Sequence, residues 1–470
     1  MKKILLLNPP GKNKYLRDQY CSSSAKADYY WPAIDLLVLS GIISSHFQVE
    51  VLDAIAEKMS AEQTFKFIKN ASFSAVCALT SSSSKDEDFL LFNELKKNRG
   101  LKIILNGGFL RHNTQKYLEE FKFIDAVIVD YTQNGVVDYI KGEKGRLPGI
   151  WYKSGGSIQK ESCYSDDEDI FSYPVPRHEL FPLNKYCLPQ ARNFPFTCVL
   201  ISSGCPFKCK FCSSSSIHYR KRDVENLLIE LKAIKSAGIK EVHFPDFTFT
   251  ADKGHCLKVC RAMIDAGLDL SWDCLSRADC FDAELARTMK KAGCHTIQFG
   301  VESQNEQVLE NLAKPLANKT VRDAFELCQR EGIDTIGFFI IGLPQEDEPS
   351  IKKTIAFACD LNCDYASFSV FVPDFGAPIR TELEKKDPRL KNVYKFDRTD
   401  FPVTVSEFIS KERIWQLRNI AMWSFYLRPG YIWKMLGKIK SGSRLRVAAK
   451  IFWSICKEQL KPRVRSCKSR

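Results

Sequence analysis

Three cysteines stand four and three residues apart in the run Gly204-Cys205-Pro206-Phe207-Lys208-Cys209-Lys210-Phe211-Cys212. Thiolates on so short a loop can wrap one inorganic cluster, and cysteine is the usual ligand of iron–sulfur cubanes. Three thiolates hold three irons of a 4Fe–4S cluster and leave the fourth iron open to a small molecule. Zinc is the rival metal. In structural sites it takes four protein ligands, commonly from paired CxxC units, and no second CxxC pair accompanies this one. Cys256 and Cys260, at i and i+4 of a helical pattern, could also meet a metal; two buried thiols in a helix is the plainer reading.

The elements that must position this loop alternate between strand and helix. Residues 198–202, 241–244, 270–275, 296–300, 335–341 and 365–371 read as strands, with helical spacing over 224–237, 256–266, 282–292, 320–331 and 350–361. That makes six βα steps over about 180 residues, where a closed eight-step barrel needs about 250. The expectation is a partial (β/α)6 barrel, open on one side. Upstream, strands at 2–8, 49–53, 74–79, 102–106 and 125–129 alternate with helices at 33–46 and 86–97, the pattern of a doubly wound parallel sheet. Ligands bind such sheets at the carboxyl ends of the strands. Those ends are Asn8-Pro9-Pro10, Asp53, the hydroxyl run 80–84 with Ser81, and Asn106-Gly107-Gly108. The predicted fold is α/β, with a sheet domain at 1–140, a Pro- and Gly-punctuated linker at 141–194, the barrel at 195–385 and a helical appendage at 386–470.

The bulk numbers fit that plan. A chain of 470 residues exceeds one ordinary domain, and 44% hydrophobic with 27% charged residues suits packed cores. The apolar run of the opening MKKILLLNPPG stops too early for a signal peptide, and no apolar stretch reaches membrane-spanning length. Eighteen scattered cysteines without an export signal read as mostly reduced thiols of a cytoplasmic protein. The net charge of +13 is concentrated at the end: from residue 431 onward, twelve Lys or Arg face one acid, Glu458, a net of +11. A general nucleic-acid surface is not implied; a basic C-terminal appendage is.

The cysteine loop, with the aromatic Phe211 before its last cysteine and a place after the first strand of a partial barrel, resembles the radical S-adenosylmethionine (SAM) superfamily. The strand ends add to the likeness. Asp246 in HFPDFTFT resembles the acidic position near the SAM amino group. Arg277 in LSRAD resembles the position that meets the SAM carboxylate, and Glu302 in GVESQ the ribose or carboxylate contact. Gly342, in Ile341-Gly342-Leu343-Pro344, resembles the loop beside the adenine. The resemblance implies Cys205, Cys209 and Cys212 as cluster ligands. It also implies SAM chelated to the open iron and reductive cleavage to methionine and a 5′-deoxyadenosyl radical that abstracts hydrogen from an unactivated carbon.

A doubly wound sheet ahead of such a barrel resembles the cobalamin-binding class of the superfamily. The matching pieces are residues 2–10, the Trp31-Pro32 opening of a helix, VEVLDA, the hydroxyl run and Asn106-Gly107-Gly108, together with the LPGI and YPVPRHEL linker motifs. The resemblance implies Asn8, Asp53, Ser81, Gly107 and Gly108 as the cobalamin contacts. The chain departs from the class in lacking DxHxxG, so no histidine is assigned below cobalt, and in reading Asp130-Tyr131-Thr132-Gln133-Asn134-Gly135 where a GEGE turn is usual. The class reading is methyl transfer to an unactivated carbon. The alternative is a radical SAM cyclase, mutase or oxidoreductase whose first sheet carries no cobalamin.

Such an enzyme implies a small-molecule or lipid-like substrate and an electron donor such as flavodoxin or ferredoxin. His218, His243, His255 and His295 are acid–base candidates, His243 foremost because it immediately precedes the Asp246 strand end; a structural histidine is the plainer reading of each. Arg220, Lys221 and Arg222 read as a solvated turn. The stretch 423–429, WSFYLRP, resembles a C-terminal segment of relatives. The basic region beyond it, with helical spacing over 444–460, admits two readings: peripheral contact with an anionic membrane face, or a helical cap on the barrel.

Overall fold

The computed structural model describes residues 2–25, 28–160, 169–393 and 408–438. The leading apolar run folds as β1 (Lys3–Asn8), buried on both faces, as the middle of a parallel sheet requires. A short ribbon follows, β2 (Tyr15–Arg17) against β3 (Ser22–Ser24). Then come β4 (Gln48–Asp53), β5 (Ala75–Leu79), β6 (Lys102–Asn106), β7 (Ala126–Ile128), β8 (Ile150–Ser154) and β9 (Ser157–Gln159). The sheet runs in the order β4-β1-β5-β6-β7-β8-β9, and β1 and β4 to β7 are parallel. The expected doubly wound sheet is therefore present. The two antiparallel strands at its edge come from residues read as linker.

The rest of that linker is a strap. Helix Ile34–Ser44 is buried nearly all round, and the chain crosses it at Gly41, where a Cβ would strike the carbonyl oxygens of Pro174 and Val175. The Arg177 amide donates to Ser40 Oγ at 2.9 Å. The buried His178 ring then joins Thr197 Oγ1 at 2.7 Å and Glu230 Oε1 at 3.0 Å. Arg177 and His178 of YPVPRHEL thus tie helix Ile34–Ser44 to the barrel.

The barrel comprises β11 (Phe196–Cys198), β14 (Glu241–Phe244), β15 (Ser271–Ser276), β16 (Cys294–Glu302), β17 (Asp334–Ile341) and β18 (Tyr365–Val370), parallel and in sequence order. Right-handed crossovers with no reversal of strand order leave all the intervening helices on one face, the arrangement of an unclosed barrel. A small second sheet pairs β10 (Ile170–Phe171) and β12 (Ser202–Ser203) with β13 (Arg220–Arg222). The first barrel strand is shorter than the expected 198–202. The chain leaves the ladder after Cys198 because the buried Asp246 carboxylate takes the amides of Ile201 and Ser202 and the Ser202 hydroxyl. Residues 202–203 then join the small sheet instead.

Helix Lys411–Tyr426 lies on β18 and on helix Glu348–Asp360, with Arg413 paired to Glu348 at 2.6 Å. The WSFYLRP stretch ends that helix and opens a second, Pro429–Lys438. The helix expected over 444–460 lies outside the described residues. Among the described residues, no helix is long and apolar enough to cross a membrane.

Candidate active site

The β12–β13 ladder closes the cysteine loop at its base, pairing Ser202 with Lys221 and Ser203 with Arg220. Gly204 starts the loop at φ +75, where a Cβ would strike the His218 carbonyl; only glycine fits there. Two backbone bonds fasten the middle of the loop from outside, the Lys210 amide donating to Leu312 O and the Ile379 amide to Lys210 O, each at 2.9 Å. Cys205 and Cys209 are buried and Cys212 half-buried, and all three are free thiols.

Burial pushes the Cys209 thiol up, while Lys314 and Arg277 pull it back. Arg277 Nη1 lies 3.3 Å from Cys209 Sγ. Its guanidinium covers the Phe207 ring at 4.1 Å and is gripped from behind by both oxygens of Asp279. Burial raises Cys212 too, against the Ser214 hydroxyl 2.9 Å from its sulfur. Among the described residues, no three Cys, His, Asp or Glu side chains converge as ligands of a single ion. A cubane takes one thiolate per iron, so its ligands need not meet at a point. Three free thiols on one fastened loop and two cations placed to balance thiolate charge fit such a cluster.

The strand ends supply the rest. Glu302 ends β16 at a register shift between Gly300 and Glu302 and holds φ +64. Bulges of this kind re-aim a side chain next to a site. Its Oε1 accepts from Lys314 Nζ at 2.7 Å, and Lys314 also bonds Gly300 O at 2.8 Å. A Cβ at Gly300 would meet both groups. Lys314 stands 6.0 Å from the centre of the Phe211 ring. Arg277, Lys314, Glu302 and Phe211 are therefore brought together about Cys209.

Asp246 is not: it is fully buried, and its oxygens turn to the chain at Ile201 and Ser202 rather than outward. Gly342, at φ +82, packs under Ile414, and its loop is ordered by Glu346. That buried carboxylate accepts from the amides of Gly342 and Leu343 and from Ser303 Oγ, joining the end of β17 to the end of β16. Lys314, Ser303 and Glu346 went unread in the sequence. Lys314 follows Glu302 only after an intervening helix, Glu306–Asn311, so no spacing rule linked the two.

At the first sheet, Asn8, Asp53 and Ser81 are buried in bonds to the protein itself. Asn8 meets Tyr30, Asp53 and Arg17. Asp53 accepts from Tyr30, Tyr186 and the Ala56 amide. Ser81 bonds Ser84, which bonds Asp88. At the centre of this network is Arg17, unsuspected in the sequence, paired to Asp88 at 2.8 Å with both side chains fully buried. Gly107 lies so close to Thr80 that a Cβ would strike its carbonyl oxygen, whereas Gly108 has open space.

The carboxyl ends of the two parallel sheets face each other. Asp130 and Thr132, beyond β7, bond Arg220 at the exit of the cysteine loop. Tyr20 packs on Phe247, Trp31 on His243, and Phe109 on Phe375. Of the histidine candidates, His243 is buried with Nδ1 at 2.8 Å from Asp273. Burial opposes its charge, but Asp273, with Asp18 and Asp246, outweighs burial and raises the imidazole above its usual range. His295 is bonded to Glu241 and Thr296. Burial lowers His255, which contacts Ile201 O, and His218 is exposed.

Burial also pushes Asp18 and Asp246 up to about 6 and Glu346 up to about 7. Each holds its proton in the folded chain at a pH where the unfolded carboxylate is ionised. Their stabilisation is therefore complete near pH 4 and lost as pH rises through 6 to 7. The melting temperature should fall from pH 5 to pH 8. Glu346→Gln should flatten the upper part of that fall, a change on the order of 3 kcal/mol; an unaltered slope in the variant would remove Glu346 from the account.

The family model described as the radical SAM superfamily matches residues 199–358. A protein of Pyrococcus horikoshii described as an uncharacterized methyltransferase is 30% identical over 440 residues, covering 91% of this chain and 93% of its own length. Among solved structures, the radical SAM methyltransferase TsrM from Kitasatospora setae, with cobalamin and a [4Fe-4S] cluster bound, superposes with a TM-score of 0.65 at 16% identity, over 82% of this chain and 79% of its own. The cobalamin-dependent SAM radical enzyme OxsB, with aqua-cobalamin and SAM bound, does so with a TM-score of 0.71 at 15% identity, over 98% and 71%. At those identities the two structures establish the shared fold. With the full-length relative and the family match spanning the cysteine loop and the strand ends, the chain belongs to the radical SAM superfamily.

Proposed function

We propose that this protein is a cobalamin-dependent radical SAM methyltransferase that methylates an unactivated carbon of a small molecule. The observation that carries the reading is the apposition of the two sheets' carboxyl ends: the cysteine loop follows the first strand of one sheet, and the Gly107-Gly108 turn follows a strand of the other. The names of the full-length relative and of TsrM support it. Cys205, Cys209 and Cys212 would hold the cluster, with SAM met by Arg277, Glu302, Phe211 and the Gly342 loop. Asp246 would act by holding the strand exit. The backbone at Gly107 and Gly108 is where a corrin could approach, with Asn8, Asp53 and Ser81 as its buried supports. Once bound, these groups supply a carbon-centred radical and a transferable methyl group. The chain's own residues position them: Arg277 and Lys314 balance thiolate charge, and Glu302 orients a polar group of SAM. An external one-electron donor such as flavodoxin or ferredoxin completes the set, in a reducing cytoplasm, with the basic C-terminal region meeting the inner face of the membrane.

The test is metal analysis with visible spectroscopy of anaerobically reconstituted protein given hydroxocobalamin, followed by SAM labelled at its methyl group. About four irons and one cobalt per chain, with label passing to a carbon acceptor, is the expected result. Iron without retained cobalt would leave a radical SAM enzyme that does not methylate. In the same preparation, Glu302→Gln should weaken SAM binding about tenfold, the loss of roughly one charge-assisted hydrogen bond, with the cluster's absorbance unchanged. Equal SAM affinity would sink that role for Glu302.

A further inference from the structure

A cavity of about 440 Å³ opens between the loop that follows β6 and the segment that follows β18. Its first wall is His112, Asn113 and Lys116, directly past helix Gly108–Arg111. Its second wall begins at Phe375 and includes Arg380, Glu384 and Lys391. The walls touch at Gly376, where a Cβ would strike the His112 ring, and Phe109 packs on Phe375 at 6.4 Å. The buried Arg380 stiffens the second wall: it donates to Glu384 and to the carbonyls of Pro373, Leu390 and Val393, with its guanidinium 3.9 Å from the centre of the Phe375 ring. Between Pro378 and Arg380, both in that wall, the Ile379 amide holds Lys210 of the cysteine loop. The cavity thus adjoins the fastening of the thiol loop on one side and the Gly107-Gly108 turn on the other. Ligand sites gather at such junctions between domains.

We propose that this cavity receives the substrate, and that the substrate is a small molecule carrying a carboxylate or phosphate on an apolar body. Among the described lining residues, Lys116, Arg380 and Lys391 outnumber the one acid, Glu384, by two charges. Arg380 is spent on Glu384 and the backbone, so the two lysines are the groups that meet an oxyanion. The His112 ring and the Asn113 side chain make no hydrogen bond among the described residues. Burial pushes the His112 imidazole down to about 4, so near neutral pH the ring both donates and accepts. These two side chains meet the uncharged polar atoms of the ligand, and Phe375, Ala377 and Pro378 pack on its apolar part. A divalent cation would face the excess positive charge, with the Glu384 carboxylate already held by Arg380 at 2.7 Å. The inference rests on the enzymatic reading above and names its substrate class.

The experiment titrates phenyl phosphate, benzoate and benzyl alcohol into the reconstituted full chain and follows binding by NMR line broadening, with iron and cobalt counted in each sample. The variants are the double substitution Lys116→Gln with Lys391→Gln, on exposed side chains, and Gly376→Ala, whose added methyl displaces the His112 ring. At least one of the two anions should bind more tightly than benzyl alcohol, and the tighter of them assigns phosphate or carboxylate. Its affinity should fall about tenfold in the double variant, the loss of roughly one charge-assisted contact, and should fall in Gly376→Ala, with iron content unchanged in both. When phenyl phosphate is bound, reduction of the cluster to its paramagnetic state should quicken its phosphorus relaxation. Failure of both anions to bind overturns the proposal, as does equal affinity in the double variant or for benzyl alcohol. Bound phenyl phosphate that ignores the cluster's reduction overturns it too, because the anion would then sit away from the chemistry. Displacement of the probes by hydroxocobalamin would assign the cavity to the corrin instead. Loss of probe binding with full iron and cobalt strikes this inference alone; absent cobalt with probe binding intact strikes the methyltransferase reading.

Discussion

Cys209→Ala should carry less than one iron per chain after reconstitution, where the parent carries about four, and its formation of 5′-deoxyadenosine should drop to background. Cys209 is the thiol on which the surrounding charge converges, with Arg277 3.3 Å away and Lys314 opposing its burial. Removing the thiolate takes away one of three iron ligands and leaves two cations facing an apolar methyl. The rest of the chain should be little affected, because Lys210 and Ile379 fasten the loop through backbone atoms that the substitution does not touch. Cys260→Ala is the matched control: its thiol is equally buried but sits in helix Lys253–Asp265 beside Cys256. It should keep full iron and activity. The measurement is iron and acid-labile sulfide per chain, with chromatography of the nucleoside product under a strong reductant. Full iron in Cys209→Ala, or iron loss in Cys260→Ala, would overturn the ligand assignment.

Arg17→Met should be the most destabilising single change in the first sheet, costing about 3–5 kcal/mol, the usual penalty for breaking a buried ion pair from one side. Arg17 donates to Ser84, Asp88, Asn8 and the carbonyls of Pro9 and Pro10, with none of its side chain exposed. The substitution strands the Asp88 carboxylate, which burial already raises and Arg17 holds down. It also leaves two proline carbonyls without their donor. Replacing both partners, Arg17→Met with Asp88→Leu, should recover much of the loss, because the desolvated charge disappears with its partner. Urea unfolding followed by circular dichroism reads the difference. A loss below about 1 kcal/mol in the single variant, the range of an exposed pair, would show that water reaches this network.

The parallel sheet and the barrel strands were legible because apolar runs separated by helical spacing leave few topologies open. Leu5, Leu7, Phe299 and Ile341 are fully buried on strands expected from composition alone. The thiol loop was legible because its ligands lie within eight consecutive residues. Less legible was which polar strand-end residues face outward. Asp246 and Asn8 were read as cofactor contacts from their place at strand ends, and both spend their hydrogen bonds on the protein. Their partners, the Ser202 amide and Arg17, are remote or irregular in sequence, and a hydrogen bond to a backbone amide leaves no periodic mark. Lys314 was missed for the same reason: an ion pair across an intervening helix depends on a turn whose geometry only the packed barrel sets.

The two backbone bonds that grip Lys210 have a consequence for how the protein matures. Leu312 and Ile379 leave the ribosome long after the three cysteines, and the second of them follows the last barrel strand. A nascent chain that has just exposed its thiols cannot yet give them their final spacing, because the parts that shape the loop have not been made. Iron delivery should therefore be posttranslational and should discriminate against fragments: a chain ending before residue 379 exposes the thiols without the fastened loop. A chain that stops before residue 379 should accordingly retain less iron after reconstitution than the full chain, because it lacks the Ile379 amide that holds Lys210.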